Sequence, residues 1–247
     1  MRFDRVSPVR AYERVVEQIE EAVLCGRLRP GEHLPSERDL MVQFGVGRST
    51  VREALRVLQS NGLVRSRAGD PRGAQVQAVS PGALQKSMTM LARADTLGLA
   101  ELVQFRMLLE GSANQLAARL RTPEQLAEMD TAMDVMRTAV DEGYAEFSRA
   151  DVAFHEAVAR ATGNTLIQIC GTVVRDVVLG LIEDKIVNAP DSRALMLTSL
   201  EHHSRVLEAV RDGDGELAAR LARRSLYDYY AEYVPEDERA MLLPLLD

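Results

Sequence analysis

The chain has 247 residues, enough for two ordinary domains with their own cores, and a formal net charge of −7 at pH 7. Two cysteines, Cys25 and Cys170, exclude a disulfide framework or a zinc ribbon and read as reduced core or interface residues. The opening MRFDRVSPVRAYERVVEQIEEAV lacks a signal-peptide apolar core, and no apolar run approaches the ~20 residues that span a bilayer, so the expectation is a cytoplasmic protein with no membrane partner.

The charge is unevenly distributed. Residues 1–80 hold 13 arginines against 10 acidic residues, a balance of +3, whereas the remainder holds 17 basic and 27 acidic residues, a balance of −10. A mildly basic head on an acidic body fits a protein of which only one part neutralises phosphates. Arginine alone is weak evidence, because the chain has only two lysines, Lys86 and Lys185.

Val9, Tyr12, Val15, Val16, Ile19 and Val23 form one apolar stripe on a first helix, which Gly26 ends. Next comes LPSERDLMVQFGVGRSTVREALRVLQSNGLVRSRAG, residues 34–69. Ser36, three residues before Asp39, opens a short helix with a capping-box-like start. Leu40, Met41 and Phe44 give that helix its apolar face. Gly45 and Gly47 bracket Val46, so the chain turns sharply and Val46 plugs the gap between two helices. A second helix then runs from Arg48 to about Leu58 with Val51, Leu55 and Leu58 inward. Arg48, Arg52 and Arg56 lie on its other face with Ser49 and Thr50 beside them. Asn61-Gly62 opens a strand over 63–66, Gly69-Asp70-Pro71-Arg72-Gly73 makes a tight tip, and a return strand covers 74–78. Two helices, a glycine turn and a basic hairpin are the parts of a winged helix-turn-helix, in which arginine pairs bidentately with guanine in the major groove. The bland alternative is an amphipathic helix pair with a solvated arginine face.

Val79-Ser80-Pro81-Gly82 has the chemistry of a boundary, with Pro81 suited to start a linking helix. Helical patterns follow at 82–93, 98–120, 123–141, 144–161, 164–187, 192–212 and 214–233, with no convincing strand and no internal repeat. Short connections between long amphipathic helices imply an antiparallel bundle. The expected fold is therefore mainly α: a winged helix-turn-helix with a small β-hairpin wing at 1–79, then an all-α antiparallel bundle at 80–234. The tail at 235–247 either packs on the body or hangs free.

Three polar positions sit on apolar helix faces. Arg106 shares a stripe with Leu102, Leu109, Ala113 and Leu116; Asp151 shares one with Phe147, Phe154 and Val158; His203 shares one with Leu200, Leu207 and Val210. His155 follows Asp151 by one turn, and His202 lies off its helix's stripe. Buried charge is costly unless paired or coordinated, so the three positions suggest an internal polar cavity. Asp151, His155 and His203 form an O,N,N set suited to zinc, nickel or manganese with positions open for water or a ligand. Equally open at this point is a core in which Asp151 pairs with Arg106 and the histidines merely pack. Asn164, after Gly163, reads as a helix cap, and Arg175 as a solvated or ion-paired residue.

The segment GRLRPGEHLPSERDLMVQFGVGRSTVREALRVLQSNGLV resembles the N-terminal winged helix of the GntR superfamily of bacterial transcription regulators. ELVQFRMLLEGSANQLAARL, ADVAFHEAVARATGN and EHHSRVLEAVRDGD are similar to signature stretches of its FadR-like subfamily, whose all-helical effector domain is called FCD. The resemblance implies that Arg38, Arg48 and Arg52 contact DNA, with Ser49 and Thr50 alongside and Gly69 at the wing tip. It implies that Asp151, His155 and His203 bind a divalent metal and that Arg106 faces a small carboxylate effector. The sequence departs from the pattern twice. Gly47 replaces the usual serine, a helix cap weaker by only a few tenths of a kcal/mol, roughly, with the loss of one phosphate contact. Ser225 stands where the family has a further histidine, which weakens the metal site. The function implied is a ligand-responsive repressor, not an enzyme, that binds an inverted-repeat operator in double-stranded DNA as a homodimer and answers to a small organic or sugar acid. A metal-dependent hydrolase and an architectural DNA-binding protein are the alternatives. The hydrolase lacks an evident general base beside the metal set; the architectural protein leaves Arg106, Asp151 and His203 unexplained.

Overall fold

A computed structural model describes residues 10–66, 72–78, 81–94, 96–187 and 191–246, with side chains omitted at 183–187. The chain divides into two compact units, Met1–Ala83 and Leu84–Asp247.

The first unit contains α1 (Ala11–Leu24), α2 (Glu37–Phe44) and α3 (Arg48–Ser60), then a hairpin of β1 (Val64–Arg65) and β2 (Gln75–Val76). Its core joins Val15, Val16 and Ile19 of α1 to Leu40 of α2 and to Val51, Ala54, Leu55 and Leu58 of α3, closed by Val64 and Val76 of the hairpin. Val9 lies outside the described residues; the rest of the α1 stripe packs as its spacing predicts. Ser36 caps α2, its hydroxyl accepting from the Asp39 amide. Gly45 ends α2 in the left-handed region at φ 64°, and Val46 packs on the core between the helices.

The hairpin is shorter than its sequence pattern suggests, pairing only Val64 with Val76 and Arg65 with Gln75. The loop after α1 lengthens it on the other side. Amides of Gly31 and Leu34 donate to the carbonyls of Val76 and Ala74, and the Val76 amide donates to Glu32. This third edge has no alternating pattern to announce it. It requires Gly73, because a Cβ there would lie 2.2 Å from the Leu34 carbonyl oxygen, at a φ of +91°. Gly69, expected at the wing tip, lies outside the described residues, as does the 79–80 boundary.

The second unit is an antiparallel bundle of α4 (Gly82–Arg93, whose first two residues belong to the first unit), α5 (Leu99–Leu120), α6 (Pro123–Glu142), α7 (Tyr144–Ala161), α8 (Thr165–Val187), α9 (Ser192–Asp212) and α10 (Gly215–Tyr230). Their ends follow capping chemistry. Thr122, Asp191 and Asp214 accept amide hydrogens at the starts of α6, α9 and α10. Asn164 caps α8 with bonds from the amides of Leu166 and Ile167.

Two apolar clusters fill the bundle, and α5 runs through both. One gathers Ala113 and Ala117 of α5 with residues of α6, α7, α9 and α10; the other gathers Val103 and Met107 of α5 with α4, α8, the end of α10 and the tail. The tail packs on the body: Val234 and Leu242 are fully buried, two short 3-10 turns (Arg239–Met241 and Leu243–Leu245) follow α10, and Gln104 donates to the Met241 carbonyl.

Two expectations need correction here, on the apolar runs and on Cys25, and a third, for Arg175, is narrowed. Residues Thr165–Ile182 of α8 are long and apolar enough to cross a membrane, with a mean hydropathy of 1.7 over 18 residues, although Gln168, Arg175 and Asp176 interrupt them. Val173, Val174, Val177, Val178 and Ile182 of this helix are nonetheless core residues of the bundle. Arg175 takes the ion-paired half of its reading, not the solvated one: it is 2 % exposed, with carboxylates at 3.8 Å (Asp176) and 4.0 Å (Glu156). Cys25 is an exposed cap residue after α1, off its apolar stripe, where it accepts a hydrogen bond from Arg27 at 3.0 Å.

Helices α5 and α10 approach closely along Ala113 and Ala117 against Ala218 and Ala222. A Cβ at Gly215 would meet the Gln115 carbonyl oxygen at 2.8 Å, a backbone atom that cannot swing aside. Gly215→Ala is expected to destabilise the bundle by about 1–3 kcal/mol through overpacking. Urea unfolding checks this; a variant as stable as the parent would mean that the helices separate at no cost.

Candidate functional site

In the first unit, α3 presents an exposed row: Arg48, Ser49, Arg52 and Arg56, with Thr50 half-buried and Arg38 exposed on α2. The hydrophobic pattern fixes this phase, since burying Val51, Leu55 and Leu58 turns the arginines outward. Gly47 caps α3 without a side-chain hydrogen bond. Arg48 lies 3.4 Å from Glu37 and Arg56 3.6 Å from Glu53, both pairs largely exposed. Such pairs are worth ~1 kcal/mol at most, so these guanidiniums are held weakly and another anion could displace their partners at little cost.

In the second unit, a cavity of about 730 Å³, counting its open mouth, lies where α5, α7, α9 and α10 face one another. Asp151, His155 and His203 meet in its wall. His203 Nε2 is 3.2 Å from Asp151 Oδ1 and 3.2 Å from His155 Nε2, and His155 Nε2 is 3.7 Å from Asp151 Oδ2. Donors sharing one ion at 2.0–2.2 Å lie about 3.0–3.5 Å apart, so the triad has the spacing of a metal site.

The hydrogen-bond partners sharpen that reading. His155 Nδ1 faces Glu110 Oε2 at 3.0 Å, and His203 Nδ1 faces the Ser199 carbonyl at 2.6 Å. An ionised carboxylate and a backbone carbonyl only accept, so both Nδ1 atoms carry the proton. In the neutral rings, two Nε2 lone pairs then converge with a carboxylate oxygen. Three acceptors so placed repel one another unless a cation sits among them. The residues fit a divalent metal.

Arg106 is 2 % exposed, as its stripe predicts, but its carboxylate partner is Glu110 at 3.9 Å rather than Asp151. Its Nη1 donates to the Tyr230 hydroxyl at 2.5 Å, and its guanidinium lies 5.0 Å from the centre of that ring. Among the described residues its Nε has no hydrogen-bond partner, and neither has the buried Oδ1 of Asn114, one turn beyond Glu110. Both residues line the cavity. Ser225 also lines it, with its hydroxyl already donated to the Leu221 carbonyl at 2.8 Å, so nothing replaces the missing histidine. Tyr144, Ser148, His202 and Tyr229 complete the polar part of the lining.

Burial disfavours ionised Glu110, yet the nearby His155 and the hydrogen bond from it, with Arg106 and Arg175, bring its pKa down to about 2. Asp151 follows the same pattern: burial opposes its charge, and His155 and His203 hold it well below the usual carboxylate range. For His203 burial opposes protonation, but the hydrogen bond and charge of Asp151 outweigh it and raise the pKa. Burial lowers His202 and raises Tyr230.

The structure brings together in one cavity the four residues that sequence reasoning singled out, Asp151, His155, His203 and Arg106, and adds Glu110 and Asn114, which that reasoning passed over, and His202, which it had set off its helix's stripe. The α5 stripe was misplaced by about one residue: Leu109 and Leu116 are only half-buried, whereas Glu110 and Asn114 are buried. The missed signal was Arg106 and Glu110 at i, i+4 on a helix otherwise almost free of charge at its centre.

Comparison with known proteins agrees with both halves. Residues 11–72 match the family described as bacterial regulatory proteins, gntR family, and residues 101–228 match the FCD domain. The chain is 30 % identical over 227 residues to the HTH-type transcriptional repressor NanR of Cronobacter sakazakii, spanning 90 % of this chain and 84 % of that protein. It is 31 % identical to the repressor of the same name from Klebsiella aerogenes, spanning 87 % and 82 %. A solved structure titled Streptococcus agalactiae GntR shares the fold, with a TM-score of 0.64 at 24 % identity over 90 % of this chain and 98 % of that one. The chain belongs to the gntR family of bacterial transcription regulators, in the branch that carries an FCD domain.

The electrostatics predict an acid limb. A carboxylate with a depressed folded pKa stabilises fully above its unfolded value, 4.5 for Glu110, and loses that contribution as pH falls toward about 2. Metal-free Glu110→Gln should therefore lose less unfolding free energy than the parent between about pH 5 and 3. Denaturant titration across that range tests it; parallel losses would show that Glu110 is not held by its neighbours.

Proposed function

We propose that this protein is a transcription repressor that binds a short inverted-repeat operator as a homodimer and is released or retained by a small carboxylate metabolite held in the FCD domain. The observation that carries the reading is the cavity among α5, α7, α9 and α10, which a buried arginine and an Asp-His-His set both line. Two curated relatives at about this chain's length are repressors by name, which favours repression. The protein works in the cytoplasm, where its DNA lies.

On the DNA side, Arg48 and Arg52 reach base edges from the start of α3, Ser49 and Thr50 assist, and Arg38 holds phosphate. Gly69 belongs to a wing that approaches the minor groove. One winged helix reads few base pairs, so specificity calls for two half-sites related by a two-fold axis.

On the effector side, Asp151, His155 and His203 would hold zinc, nickel or manganese. When bound, the metal supplies a Lewis-acidic grip on a carboxylate or hydroxyl oxygen. Arg106 orients the acid through parallel hydrogen bonds from the opposite side. The unpartnered Asn114 Oδ1 suits a hydroxyl donor, which favours a hydroxy or sugar acid over a simple fatty acid. With Ser225 in place of a further histidine, these residues would offer three protein ligands and leave room for water or effector. A hundredfold preference of the effector for one arrangement of the dimer is worth ~2.7 kcal/mol, enough to change operator occupancy.

Two experiments test this. Arg48→Ala and Arg52→Ala should each abolish specific operator binding in gel shifts without unfolding the protein, since each guanine contact is worth ~1–3 kcal/mol and a dimer loses it twice. Unchanged affinity would remove α3 from the recognition role. Arg106→Ala and His203→Ala should still bind operator but ignore the effector that releases the parent. Wild-type sensitivity in both would place the effector elsewhere.

A further inference from the structure

We propose that Glu110 is a positioning residue that orients His155 for the metal and, through its other oxygen, ties that ligand to the acid-binding Arg106. The proposal rests on the reading of Asp151, His155 and His203 as metal ligands.

The geometry is specific. Glu110 Oε2 is 3.0 Å from His155 Nδ1, and Oε1 is 3.9 Å from Arg106 Nε. The carboxylate is 8 % exposed and sits one turn after Arg106 on α5, the helix that crosses the bundle. A carboxylate accepts from Nδ1–H and from nothing else on the ring, so the lone pair is directed to Nε2, the atom that faces Asp151 and His203. The partner residue His203 has its tautomer fixed by a backbone carbonyl. Only His155 depends on a replaceable side chain. Carboxylate-bound imidazoles are also more basic ligands, and losing such a partner typically costs 10–100-fold in metal affinity.

The link to Arg106 adds a second consequence. One carboxylate is shared between a metal ligand and the guanidinium that would clasp an acid. Replacing it with a neutral amide leaves the shape but changes the charge felt at both ends. Asn114 buttresses the arrangement by donating to the Glu110 carbonyl at 2.9 Å.

The test uses the full-length protein with cobalt(II) alone as the probe, in competition with a chromophoric chelator. Glu110→Gln is expected to bind cobalt 10–100-fold more weakly than the parent. Equal affinities would overturn the proposal while leaving the metal site intact. A parent that takes up no cobalt would overturn the metal reading and this proposal with it. A second measurement needs no variant: ¹⁵N NMR of the metal-free parent at a pH where the rings are neutral. His155 is expected as the Nδ1-protonated tautomer. Finding the Nε2-protonated form, which an unbiased imidazole prefers, would overturn the role of Glu110 even if the variant failed to fold.

Discussion

The second unit depends on one buried pairing of opposite charges. Arg106 and Glu110 occupy the middle of α5, between two apolar clusters that the same helix feeds from its two ends. Neither charge could stay there alone, since removing one partner of a buried pair costs several kcal/mol, roughly 3–5. The surrounding groups are arranged as compensation. Tyr230 accepts from the guanidinium, His155 donates to the carboxylate, and Arg175 adds a second positive charge from α8. The cavity is polar because this network has to be satisfied, and it is open because the network is not closed on all sides.

The two units solve different electrostatic problems. In the first, arginines are exposed by the phase of α3 and only loosely paired. In the second, charges are immobilised by burial, so small changes in occupancy alter large local fields. A family that couples DNA binding to metabolite binding needs one surface that yields readily and one interior that does not.

How much of this was legible in the sequence follows from helix environment. Caps and glycines placed the starts of the bundle's helices within a residue, because Thr122, Asn164, Asp191 and Asp214 each satisfy backbone donors wherever they occur; α10, with no such signal at its end, stops at Tyr230, three residues short of the expected 233. Asp151 and His203 were visible because α7 and α9 are amphipathic and have one inward face. Helix α5 is buried over much of its circumference and α8 is apolar around most of its own, so periodicity does not select a single stripe. That is why Glu110 and Asn114 were passed over in favour of Leu109 and Leu116, and why Arg175 stayed open between solvated and ion-paired. The pairing of residues 31–34 with the hairpin was hidden for another reason. It is made by backbone groups of a loop without alternation, and only the crowding at Gly73 records it.

The exposed row on α3 has a consequence for regulation. All its cations are arginines, and residues 1–80 contain no lysine at all. Guanidiniums keep their charge at any physiological pH and offer no amine for acetylation. Enzymes that silence DNA-binding proteins by modifying lysine therefore have no purchase on this reading head, and neither does a shift in cell acidity. Control of its grip on DNA is left to ionic strength and, on the function proposed above, to the spacing of paired heads and to what the helical domain holds.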